Sequence, residues 1–173
     1  MFGAALIALW VSLAAPVAHG PFALECAPTY ANAAGVTDAA AARVTLGPET
    51  CASLKRLSLH RRPSSQDLEF GLRTLLHEAR HVGQYREGWN FQDPARPYEH
   101  DAECTALREL PGAADTLGYR GQMVADAEWL VRYEIEHLES APYGGACAAT
   151  TPSASGAGAA APPHPRRGRA PRR

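Results

Sequence analysis

The sequence predicts a mainly α-helical domain with at most a small sheet near its N-terminus. Three observations predict it. Leu68, Leu72, Leu75, Leu76, Ala79 and Val82 recur at the spacing of one helix face. Two further stretches, about Tyr98 to Leu110 and about Tyr119 to Glu139, are patterned for helix in the same way. Only Arg43-Val44-Thr45-Leu46 reads as a strand, and Gly47-Pro48 ends it.

From the beginning of the chain, Phe2 to Leu24 contains no Asp, Glu, Lys or Arg. Ala4 to Ala15 has the make-up of a secretory hydrophobic stretch, and Ala18-His19-Gly20 offers small residues for cleavage. Residues 1–20 are therefore expected to be an export signal, the alternative being an uncleaved membrane anchor. Ala39 to Ala42 is open to a short helix before the strand. Pro48 at a first helical position, with Glu49 in the first turn, starts a short helix through Leu54 and Leu57.

Ser64, with an acid three residues on at Asp67, then caps the most strongly patterned helix, which runs to about Tyr85. Gly88 and Asn90 stop it. A loop from Asp93 to Pro97 leads to the second helix, for which Pro111-Gly112 is the expected end. Met123, Ala127, Leu130, Val131, Ile135 and Leu138 form the apolar stripe of the third. Residues 21–147 make up the expected domain. Residues 148–173 are rich in Ala, Pro and Arg and cannot build a core, so they read as a disordered tail. The net charge of −1 divides into +5 for that tail and −6 for the rest. A basic tail can contact polyanions, but no aromatics interleave with its arginines, so no specific nucleic-acid partner is expected.

The chemistry is concentrated at His77-Glu78-Ala79-Arg80-His81. Histidines four apart project from one helix face, within reach of one ion. In this H-E-x-x-H arrangement two neutral imidazoles hold Zn2+, and the carboxylate between them, Glu78, serves as general base. A catalytic site needs a third protein ligand. Glu99, eighteen residues after His81, opens Glu99-His100-Asp101-Ala102-Glu103 on the next helix and is the candidate. Should Glu99 point away, Glu103 or Asp101 takes its place. Glu103, one turn later on the same face, can otherwise accept a hydrogen bond from a ligand histidine and fix its tautomer.

At His77 to Tyr85 and Pro97 to Glu103 the chain resembles gluzincin-type zinc metallopeptidases, especially small bacterial families in which H-E-x-x-H precedes an E-x-x-A-D/E/N helix. The resemblance covers about Leu72 to Leu110. It implies a minimal helical core, with a zinc helix, a ligand helix and a third long helix. It also implies zinc on His77, His81 and Glu99, with Glu78 as base and Glu103 orienting a ligand histidine. Arg80 departs from it, being charged where such families carry an uncharged residue. These enzymes also use an electrophile to stabilise an oxyanion, and Tyr133 and His137, one turn apart, are the available candidates.

The expectation is thus an exported, monomeric zinc-dependent hydrolase acting on peptide or envelope amide bonds. The alternatives are a non-catalytic zinc-stabilised binding domain of the envelope and a disulfide-stapled helical module with incidental histidines. Four cysteines without a Cys-x-x-Cys pair suit two disulfides in an oxidising compartment. Cys51 lies on the helix preceding the zinc helix and Cys104 lies on the ligand helix. Cys26 and Cys147 bracket the domain. The expected pairs are therefore Cys51–Cys104 and Cys26–Cys147, with Cys26–Cys51 and Cys104–Cys147 the main competitor.

Overall fold

The structure, a computed structural model, describes residues 3–93, 97–137 and 147. The tail expected at 148–173 and the stripe residue Leu138 lie outside them. The chain is mainly helical with one small sheet, as its patterning predicts.

Helix α1 (Ala4–Ala14) covers the hydrophobic stretch expected to be an export signal. Trp10 and Ala14 on it are completely buried in the common core. Arg86 fastens the following turn by donating to the carbonyl oxygens of Ala18 and Pro21, at 2.8 and 2.6 Å. Among the described residues no helix is long and apolar enough to cross a membrane.

Strands β1 (Ala23–Cys26), β2 (Gly35–Asp38) and β3 (Arg43–Leu46) form a sheet in the order β1-β3-β2. β1 runs parallel to β3, with Cys26 opposite Leu46, while β2 pairs with β3 antiparallel. Ala39 to Ala42 is the turn of that hairpin and not a helix. Asp38 Oδ1 accepts from Ala41 N at 3.0 Å, a local bond that competes successfully with alanine's helix propensity.

Helix α2 (Pro48–Ser58) begins at Pro48 as expected and buries Leu54 and Leu57. Ser64 then builds a complete capping box with Asp67 over the short α3 (Ser65–Asp67). The chain continues through a π-helical segment (Leu68–Arg73) into α4 (Thr74–Arg86), the helix of the histidine pair. The wider π turn, a form frequent at functional sites, was invisible in the apolar spacing.

Helix α5 (Tyr98–Thr116) packs on α4 and runs straight past its expected end at Pro111. Its extra turns bury Ala113 and Ala114, which compensates for the hydrogen bond that Pro111 cannot donate. The stop is Gly118, whose positive φ of 83° lets its own N–H and that of Tyr119 reach back to Asp115 and Ala114. Helix α6 (Gln122–His137) buries Val124, Ala127, Val131 and Ile135 against the rest.

Two disulfides close the fold, and they are not the pairs expected. Cys26 bonds Cys51 and Cys104 bonds Cys147, with Cα separations of 6.2 and 5.4 Å. The parallel β1–β3 pair explains the first. Cys26 ends β1 beside Leu46, and α2 starts immediately after β3, so Cys51 in its first turns meets Cys26. Cys104 is thereby left to Cys147, which follows the helix that packs beside α5. Stable disulfides belong to an oxidising environment.

Candidate metal centre

The first turns of α5 face the middle of α4, and their side chains meet in one cluster. His77 Nε2 and His81 Nε2 are 3.0 Å apart, as their i, i+4 spacing dictates. Glu99 Oε2 stands 3.1 Å from the first and 3.3 Å from the second. Both rings are buried, and the Glu99 carboxylate is 16% exposed.

The outer nitrogen of each ring faces an oxygen that can accept a proton from it. His77 Nδ1 lies 3.2 Å from Glu103 Oε1, so a proton on Nδ1 is favoured, although the two atoms are not aligned as a straight hydrogen bond. His81 Nδ1 lies 2.8 Å from Gln84 Oε1. In the neutral rings both Nε2 atoms therefore offer lone pairs, and these converge on a carboxylate oxygen. With both rings neutral, these three lone-pair donors repel unless a cation joins them; without one, a proton on His77 Nε2, 3.1 Å from Glu99 Oε2, relieves the repulsion. Tetrahedral zinc with bonds of about 2.0–2.1 Å needs ligand atoms about 3.3 Å apart. The observed triangle fits that requirement closely.

The surrounding electrostatics also favour positive charge. Burial works against the His77 imidazolium, but Glu103 and Glu99 outweigh it and hold the pKa up at about 9. Burial likewise opposes the Glu99 carboxylate, yet both histidines pull its pKa down to about 2. Behind Glu103 stands Arg73 from the π segment, 3.0 Å away and paired also with Glu134 at 2.9 Å.

Glu78 takes no place in the ligand triangle. Its carboxylate is held from the other side by strand β2, where Thr37 Oγ1 donates to Oε2 at 2.6 Å. Gly35 on the same strand lies so close that an added Cβ would come 2.6 Å from Glu78 Cγ. A cavity of about 390 Å3 opens beside these groups, lined by His77, Glu78, His81, Glu99, Thr37, Phe91 and Tyr98 among others.

Of the residues singled out from sequence, His77, His81, Glu99, Glu78 and Glu103 come together. Asp101 is not the third ligand, because Arg80 and Gln84 engage its Oδ2 at 2.7 and 2.9 Å. Tyr133 and His137 stack on each other at 4.1 Å on the exposed side of α6, and neither lines the cavity. Tyr98 lines it instead, its ring 5.7 Å from that of His81. Gln84 could have been suspected, lying three residues after His81 on the ligand face. Nothing local marks Thr37 or Arg73. A second group, His100 with Cys104 and Cys147, has its two sulfurs joined in a disulfide and so offers no thiolate. No family model, curated protein or solved structure matches the chain.

Proposed function

We propose that the protein is an exported, mononuclear zinc-dependent hydrolase that cleaves amide bonds of peptides or of envelope polymers. One observation carries this reading. Two imidazole nitrogens and a carboxylate oxygen converge within 3.0–3.3 Å, and a buried carboxylate outside that triangle, Glu78, lines the same cavity. His77, His81 and Glu99 would hold the ion. Zinc, when bound, supplies Lewis-acid chemistry that polarises a carbonyl and acidifies water.

The remaining work falls to the chain's own residues. Glu78 accepts a proton from water in the cavity and delivers it to the departing amine. The Thr37 hydroxyl keeps the Glu78 carboxylate turned to its task, and Tyr98, which lines the same cavity, is the candidate phenol to donate to an oxygen that becomes negative. Export is supported by the two disulfides.

The test combines metal analysis with cleavage of a random peptide library followed by mass spectrometry. Purified protein should carry about one zinc and cut the library, and Glu78→Gln should keep the zinc and lose cutting. A zinc-loaded wild type that leaves the library intact, or a Glu78→Gln variant that cuts normally, would overturn the peptidase reading.

A further inference from the structure

Arg80 is the one charged residue inside the histidine motif whose role the proposed reaction leaves unexplained. Its side chain is only 11% exposed. Its guanidinium binds Glu87 at 2.5 and 3.0 Å and donates from Nε to Asp101 Oδ2 at 2.7 Å. The same Asp101 oxygen accepts from Gln84 Nε2 at 2.9 Å, and that amide nitrogen also donates to the Tyr98 carbonyl at 2.7 Å. Gln84 is completely buried, so its orientation has to satisfy these partners. Turning the amide over would set its oxygen against a carbonyl and a carboxylate. The nitrogen end is thus committed to α5, and the oxygen end is left facing His81 Nδ1 at 2.8 Å. An oxygen there accepts, so His81 must carry its proton on Nδ1.

We propose that Arg80, acting through Asp101 and Gln84, is a positioning residue that fixes His81 in the tautomer whose Nε2 lone pair faces His77 and Glu99. The relay depends on the docking of α5 against α4, so delivery of Glu99 and preparation of His81 occur in one packing event. Its consequence for zinc rests on the metal-holding reading above, whereas the tautomer itself does not.

The experiment therefore has two readouts. Long-range proton–nitrogen spectra of histidine-labelled, metal-free protein at about pH 10, above the value of about 9 to which His77 is raised, report the His81 tautomer. Wild type should show Nδ1–H, and both Gln84→Met and Arg80→Gln should shift the ring toward Nε2–H, the form ordinarily preferred in water. Arg80→Lys keeps the charge but cannot span both carboxylates. It should give an intermediate population, and it serves if Arg80→Gln does not fold. Competition with a chromophoric chelator then measures zinc affinity. It should fall about 10- to 100-fold in Gln84→Met and less in Arg80→Gln, with the double variant no weaker than Gln84→Met alone. A wild-type Nε2–H ring, a tautomer untouched by either variant, or losses that multiply in the double variant would overturn the relay. Tautomers that shift as described in a wild type that takes up no zinc would uphold the relay and refute the metal reading alone.

Discussion

Glu78 and Glu99 are both partly enclosed carboxylates near the same pair of imidazoles, but different partners give them different roles. Glu99 Oε2 sits within 3.3 Å of both ring nitrogens, whereas Glu78 is held away from them by Thr37 and Gly35. Glu99→Ala is therefore expected to weaken zinc binding by at least an order of magnitude, as His77→Ala and His81→Ala do more severely. Near-stoichiometric zinc in a His77→Ala, His81→Ala double variant would contradict the centre outright. Thr37→Val should leave metal content unchanged and lower kcat, because it loosens only Glu78, the proposed base. A parallel loss of zinc from that variant would show that β2 supports the ligands as well. Which of these residues the sequence discloses follows from how each finds its partner. His77, Glu78 and His81 are related by the pitch of a single helix, and Glu99 and Glu103 repeat that pitch on the next. Thr37 and Arg73 act across elements whose mutual packing no local spacing encodes, so they emerge only once the fold is known.

At the scale of elements, the helix that bears the histidines depends on how it starts. Ser64 accepts from Asp67 N at 3.3 Å, Asp67 Oδ2 accepts from Ser64 N at 3.0 Å, and Arg56 adds bonds at 2.9 and 2.6 Å. Burial raises the Asp67 pKa, but Arg56 and the Ser64 bonds outweigh it and hold the carboxyl below its ordinary value. A depressed carboxyl pKa contributes stability above the unfolded value of about 3.9 and loses it as the pH falls through the folded one. Asp67→Asn should thus cost about 1–2 kcal/mol at pH 7, with the half-exposed Arg56 adding little of it. The difference in melting temperature from wild type should shrink below about pH 4. An equal difference at pH 7 and pH 3.5 would remove the charged bonds from the account. The capping box was legible because its residues are three apart. Pro111 was misleading for the opposite reason, since a helix end set by local chemistry was overridden by burial of Ala113 and Ala114 farther along. Helix α1 is likewise held by packing, with Trp10 on it fully enclosed by the core. Trp10→Ala in the full chain should cost about 3–5 kcal/mol, read from denaturant unfolding. A near-neutral effect would mean that α1 contributes nothing to the fold.

For the whole molecule, the strongest topological constraint is the pair of disulfides, one at each end of the fold. Cys26–Cys51 joins β1 to α2, and Cys104–Cys147 ties the helix that delivers Glu99 to the chain beyond α6. The even number of cysteines disclosed that two bridges were available. The pairing stayed hidden because it depends on β1 lying parallel to β3, and a four-residue strand such as Ala23–Cys26 leaves no pattern strong enough to read. Bridges with sequence separations of 25 and 43 remove about 3.5 and 4 kcal/mol of unfolded-chain freedom, respectively. Replacing either pair with serines should lower the melting temperature by on the order of 10 °C. The two losses should differ in their effect on the metal. Removing Cys104–Cys147 frees α5 next to Glu103, so zinc affinity should fall together with stability. Removing Cys26–Cys51 loosens a region with no ligand on it, so affinity at temperatures well below the melt should hold. A non-reducing digest that yields peptides linked as Cys51–Cys104 or Cys26–Cys147 would refute the observed topology. Equal loss of zinc from both serine pairs would show that the site depends on global stability and not on the anchoring of α5.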